Sequence, residues 1–212
     1  MKLSTLACAA ALACAFTVPA KAASNLIMNG DFETPIVTGG GGFDYRPGTT
    51  LTSWNYAGGH NGSVQFNASY APTLASVGAD AQSVQIEYPG DSISQTFTTV
   101  SNQAYLLSFL LSSYGGNNPS SLRVDVGSVT NSPFVGPGNS QVYDAHSLLF
   151  TALGGTTTLT FTNTGPLPFG TYPHLDNVSV TAVPEPETYA LMLAGLGVIG
   201  MSARRMKQGR NA

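Results

Sequence analysis

Cysteine is nearly missing from this 212-residue chain: there are two, Cys8 and Cys14, and both fall within the first 23 residues. Those residues run from Met1 and Lys2 through the apolar "LSTLACAAALACAFTV" to Ala20-Lys21-Ala22. That is the order of a charged leader, a hydrophobic segment and a small-x-small cleavage site, so residues 1–23 read as an N-terminal signal peptide. Cleavage after Ala22 or Ala23 removes both thiols, and the exported protein then has neither disulfides nor thiol chemistry in spite of an oxidising destination. A lipoprotein cleavage before Cys14 is disfavoured, because Ala11 is a poor residue three positions before such a cysteine.

Charge is scarce as well. Residues 24 to 183 carry nine acidic side chains (Asp31, Glu33, Asp44, Asp80, Glu87, Asp91, Asp125, Asp144, Asp176) against two basic ones (Arg46, Arg123), a net of −7. Phosphate binding needs a cationic footprint, so nucleic acid is disfavoured as a partner. Catalytic signatures are missing too. There is no G-x-S-x-G and no H-E-x-x-H; His60, His146 and His174 are scattered, and "DAHS" at 144–147 is too compact along one strand or turn to converge as a nucleophile relay. "GLGVIG" at 195–200 has the spacing of a dinucleotide fingerprint but no strand before it and no room after it for the rest of a nucleotide fold. Asn61, Asn67 and Asn177 open N-x-S triplets, a pattern short enough to arise by chance.

What the exported part does have is period-two alternation. In "SLRVDVGSV" Leu122, Val124 and Val126 alternate with Arg123 and Asp125; "TTTLTFTNT", "SVQFNA", "SVQIEY" and "SISQTFTTV" alternate in the same way, and "AYLLSFLLSS" suits a strand buried on both faces. Gly and Pro clusters punctuate these segments, at 39–42, 89–90, 115–119, 133–138, 154–155 and 165–168. Eight or nine strands and no helix before Thr188 are expected. The fold class is all-β, an antiparallel two-sheet sandwich with hydroxyl-rich outer faces, occupying residues 24–182.

The chain closes differently. After "VPEPE" an uncharged run of 15 residues, Tyr189 to Ala203, is followed by Arg204, Arg205, Lys207 and Arg210. As a helix it would be roughly 22 Å long, short of a ~30 Å hydrocarbon core, but able to insert as a C-terminal membrane helix if the arginines snorkel and the bilayer thins. The cations after it should stay cytoplasmic. This tail, with Pro184, Glu185, Pro186, Arg204 and Arg205 in order, resembles the sorting signal of PEP-CTERM proteins of Gram-negative bacteria. The resemblance covers about residues 183–206 of the terminal segment 183–212. It implies processing by an exosortase near Pro184-Glu185-Pro186, a transient membrane anchor, and delivery to the cell surface or an exopolysaccharide matrix.

A second resemblance spans the exported domain. "NLIMNGDFETP", Ser53-Trp54, "SISQTFTT", "YLLSF" and "LDNVSV", in that order, are similar to galactose-binding-like jelly rolls found in carbohydrate-binding modules. In such modules a calcium ion pins the "N-G-D-F-E" segment to the final strand. Carried over, Glu33 and Asp176 would give carboxylate oxygens and Asp31 a backbone or side-chain oxygen, the hard oxygen set that calcium prefers. Parity supports an inward Asp176, since residues 176, 178 and 180 share a face of an unbroken strand. Without metal, Asp31 starts a turn, Glu33 is solvated and Asp176 caps backbone amides.

Aromatic residues near Gly-rich loops supply candidate sugar contacts, and Tyr45, Tyr56 and Tyr114 are the exposed choices, whereas Trp54 belongs in the core. Two function classes follow. The favoured one is a non-catalytic surface or matrix protein that contacts exopolysaccharide. The rival is a secreted glycan-acting hydrolase in which two of Asp44, Asp80, Glu87 and Asp91 face each other across a cleft about 5 to 10 Å wide.

Overall fold

A computed structural model describes residues 24–36, 43–46, 51–58, 63–67, 82–114, 119–137, 143–166, 172–184 and 192–201. The leader therefore lies outside the described residues, as do Glu185, Pro186, Arg204 and Arg205 of the sorting motif.

Among the described residues, eleven antiparallel strands form two sheets. The six-stranded sheet has the order β1 (Phe43–Arg46), β3 (Ser63–Asn67), β4 (Gln82–Gln85), β11 (Tyr172–Ala182), β6 (Ala104–Tyr114), β9 (Asp144–Thr151). The five-stranded sheet has the order β2 (Asn55–Ala57), β5 (Ser92–Thr98), β10 (Thr156–Asn163), β7 (Ser121–Val126), β8 (Val129–Val135). The sandwich expectation holds, with more strands than the eight or nine anticipated. The additions are short or irregular: "FDYR" and "NYA" are too brief to show a period, and β8 carries Pro133, tolerated because β8 is a sheet edge.

The alternating residues meet between the sheets. Ile93, Phe97, Leu122, Val124, Val126, Leu159 and Phe161 from one sheet pack on Val84, Leu107, Phe109, Leu111, Phe150, Leu175, Val178 and Val180 from the other in one continuous core. Each such side chain contributes about 1.5–3 kcal/mol through burial, less the cost of ordering it. Trp54 is 3% exposed and lies between Phe32 and Phe161, with ring centroids at 5.4 and 6.2 Å, as expected of a core residue. Its indole Nε1 donates to the Asn29 carbonyl at 3.0 Å, which satisfies its one polar atom.

Residues 192–201 form a helix, α1, whose side chains are exposed. No helix among the described residues is long and apolar enough to cross a membrane.

Candidate functional site

The N-terminal motif folds as a hook laid over the last strand. Leu26 N–H donates to Val180 O and Val178 N–H to Gly30 O, at 2.9 and 2.8 Å, while the Asn25 side-chain oxygen accepts from Val180 N. Gly30 is required by this close approach, because a Cβ there would lie 2.1 Å from Val178 O. Asn29, at φ 51°, accepts from Thr34 N and donates to the carbonyls of Thr34 and Thr52. Phe32, at φ 53°, turns its fully buried ring onto Trp54. "NGDF" is thus mostly scaffold. The hook and β11 enclose an open polar cleft of about 300 Å³, lined among others by Asn25, Asn29, Asp31 and Asn177.

Several oxygen atoms of the hook that would suit a hard cation already accept hydrogen bonds. Glu33 Oε1 takes the Gln82 backbone N–H at 2.6 Å, and the buried Gln82 amide Nε2 donates to Phe32 O at 2.9 Å and Pro35 O at 3.1 Å. Asp31 is exposed, its Oδ1 3.5 Å from Glu33 N. Among the described residues no three acidic, histidine or cysteine side chains gather as a metal-binding group.

The parity argument for Asp176 fails for a specific reason. β11 carries a bulge between Asp176 and Ser179 in its pairing with β6, and Asn177 adopts φ 49°. The extra residue resets the alternation, so Leu175 shares the core with Val178 and Val180, and Asp176 turns to the outer face of the six-stranded sheet. It is nonetheless fully buried there, opposite Leu110, with Oδ1 accepting from Asn177 N at 2.7 Å.

Around it lies a buried polar cluster on that outer face. Tyr143 packs on Leu110 apart from the main core. Burial pushes its phenol above the usual tyrosine range; the neighbouring Ser83 hydroxyl opposes the shift, and the negative charge of Asp176 adds to it. Ser83 lies beside Tyr143, yet neither hydroxyl makes a hydrogen bond of ordinary geometry. His174, fully buried, shares a 2.6 Å hydrogen bond between Nε2 and Gln85 Oε1. An amide oxygen only accepts, so Nε2 carries a proton in this hydrogen bond. Burial pushes its pKa down to about 3. Of this cluster only Asp176 was picked out by sequence reasoning. "QSVQ" looks like an ordinary alternating strand and "HLD" like a strand end, so no local pattern reveals that both faces are covered.

The aromatic candidates separate. Tyr56 is half-buried and donates to Asp91 Oδ2 at 2.5 Å, with Gly58 packed so closely that a Cβ there would strike the Asp91 carboxylate. Tyr45 and Tyr114 sit in β1 and β6, paired with Val64 and Tyr172, and their side chains lie outside the described residues. Of the acids named for a hydrolase, Asp91 is buried, with Tyr56 hydrogen-bonded to it, and Glu87 is half-buried in the next turn. The Asp44 side chain and the whole of Asp80 lie outside the described residues.

Two facing antiparallel sheets, followed at once by a Pro-Glu-Pro tail, define a jelly-roll sandwich attached to a sorting motif. The PEP-CTERM protein-sorting motif matches residues 182–207. Residues 25–181 match the family described as "Protein of unknown function (DUF642)", and the chain belongs to that family. No curated protein matches. Among solved structures, the chain is similar to TmCBM61 in complex with β-1,4-galactotriose, with TM-score 0.52, 14% identity, and coverage of 76% of this chain and 100% of that one. It is also similar to the Stig cyclase Fisc from Fischerella sp. TAU, with TM-score 0.56, 17% identity, and coverage of 77% and 99%. At such identities the likeness establishes the fold alone.

Proposed function

We propose that this chain is a non-catalytic carbohydrate-contacting protein of the cell surface or exopolysaccharide matrix of a Gram-negative bacterium. An exosortase would release it near Pro184-Glu185-Pro186 after transient anchoring through the C-terminal apolar run. One observation carries this reading: the sorting motif at 182–207 directly follows a sandwich of the fold used by a galactotriose-bound carbohydrate-binding module. A protein addressed to a polysaccharide layer on a fold suited to holding sugars needs no chemistry of its own.

The geometry supports a binding rather than a hydrolytic role in one further respect. The Asp91 carboxylate is buried against Tyr56, which removes it from an open pair of carboxylates. The cyclase-like fold of Fisc keeps an enzyme in view as the rival. Affinity electrophoresis of the full chain through gels containing the producing bacterium's exopolysaccharide, with a reducing-end assay on the same mixture, separates the two. Retardation without new reducing ends is the expected result; release of oligosaccharide establishes the hydrolase. Mass spectrometry of protein recovered from the cell surface should find a C-terminus near residues 183–187, and recovery with the cationic tail intact overturns the sorting part.

A further inference from the structure

The two ends of the sandwich differ in charge. The tail leaves at one of them: Val183 N–H donates to Ala104 O at 2.9 Å and the Gln103 side chain to Val183 O at 2.6 Å. Three turns meet at that end. Asn102 N donates to Ala152 O, Thr99 N to Gly155 O and Ser128 N to Thr151 O, tying the turns at 99–103, 127–128 and 152–155 together. The first residues of the domain arrive there too, through Leu26 and Val180.

None of residues 24–28, 99–103, 127–128, 152–155 or 183–184 is charged, in a domain that carries nine acids. The acids Glu87, Asp91 and Asp144 instead mark the turns and strand starts at the opposite end. The neutral end is also apolar at its surface. Val100 and Leu153 are 66% and 71% exposed in its turns, and Leu149, 63% exposed, pairs with Leu106 one row in on the outer face of the six-stranded sheet. α1 starts at residue 192, so seven residues, 185–191, lie between it and Pro184, and the eight Cα steps can span at most about 29 Å. α1 exposes Met192, Leu193, Leu196, Val198, Ile199 and Met201.

We propose that this end is a docking face for the lipid bilayer surface, on which the domain rests while its tail is in the membrane. The proposal builds on the anchoring reading above. Turns without charge lose little on entering the headgroup and acyl boundary, the described charge next to the 127–128 turn, Asp125, is paired with Arg123 at 3.0 Å, the four apolar side chains gain there, and Glu87, Asp91 and Asp144 at the far end are held away from anionic lipid. The short tether then keeps the apolar turns within reach of the surface into which the tail inserts.

The test uses the chain from Ser24, the cysteine-free form left when the leader is removed, with one introduced cysteine carrying an environment-sensitive fluorophore, at Leu153→Cys or, at the far end, at the exposed Asp144→Cys. The protein is mixed with vesicles of phosphatidylethanolamine and phosphatidylglycerol containing doxyl-labelled lipid. Flotation with the vesicles is expected, with quenching several-fold stronger at position 153 than at 144. A Leu153→Asp variant probed through Val100→Cys should float, keep its melting temperature, and lose most of the quenching. Protein that does not float overturns both anchoring and docking. Protein that floats with equal quenching at both ends, or with quenching unaffected by Leu153→Asp, is tethered but undocked, and overturns the docking face alone.

Discussion

The outer faces of the two sheets teach opposite lessons. On the five-stranded sheet the outward row is a hydroxyl lattice: Ser92, Ser94, Thr96 and Thr98 of β5 stand opposite Thr162, Thr160, Thr158 and Thr156 of β10. Most of these residues are solvent-exposed or half-exposed, and Thr96 and Thr158 hydrogen-bond to each other at 2.8 Å. On the six-stranded sheet, the half away from the tail is covered, and the outward row holds His174, Asp176, Ser83, Gln85 and Ser112, all buried. One face asks its side chains only to be soluble and strand-forming. The other asks each polar atom to find a partner without water.

The strongest way to test that contrast is to remove a polar group from each face. Asp176→Ala deletes a fully buried carboxylate that holds the bulge amide of Asn177, and should destabilise the fold by about 3 kcal/mol in urea unfolding. A cost below about 1 kcal/mol would mean that water reaches the outer face and that the cluster is not the dry site described.

The next effect appears as pH dependence. The folded pKa of His174 is pushed down to about 3 by burial, whereas the unfolded chain takes up its proton near 6.5. Below 6.5 the unfolded state binds more protons than the native state, so stability present at neutral pH is lost as pH falls, on the order of 1 kcal/mol per unit. Between pH 6.5 and 5, above the range of ordinary carboxylates, His174→Gln should flatten the decline in melting temperature. His146, also lowered by burial although Asp144 opposes the shift, leaves a residual slope in both proteins. Parallel slopes would show that His174 is solvated.

A smaller effect concerns the hook. Because Gln82 donates to Glu33, Phe32 and Pro35, chelation of calcium should shift the melting temperature of the full chain by no more than a degree or two, on the scale of about 4 °C per kcal/mol. Gln82→Glu should reverse this, because it puts a carboxylate among those oxygens and creates a demand for a cation. A wild type that melts several degrees lower in chelator would instead support the calcium set of Asp31, Glu33 and Asp176.

The same contrast explains what could be read from the chain. β5, β7 and β10 as far as Phe161 alternate because one face of each packs and the other is more open to solvent, so residues such as Leu122, Leu159 and Phe161 identify themselves. Trp54 was legible too, and so was the tail, since an apolar run set between Pro-Glu-Pro and paired arginines has no counterpart in the alternating strands before it. Asp176 was not. Its apparent parity with Val178 depended on an unbroken strand, and a one-residue bulge leaves no mark in "LDNVSV" except an asparagine, a residue that tolerates φ > 0. His174, Gln85 and Tyr143 were hidden for a related reason: the partners shown for them, His174 and Gln85 for each other and Leu110 for Tyr143, are distant in sequence, so neither period nor composition nearby records them.

The smallest expected effect lies on the five-stranded sheet. Thr96→Val and Thr158→Val each remove one hydroxyl from an exposed pair and keep the β-branched shape that favours a strand. The lost hydrogen bond competes with water on both sides, so its net worth is small. The gained methyl group stays largely in solvent and adds little. Each single change, and the double change, should therefore alter stability by no more than about 0.5 kcal/mol. The coupling between the two sites in a double-mutant cycle should be within about 0.5 kcal/mol of zero. A coupling above about 1 kcal/mol would show that the lattice acts as a connected network rather than a row of solvated hydroxyls, and the two outer faces would then be alike in energy although different in exposure.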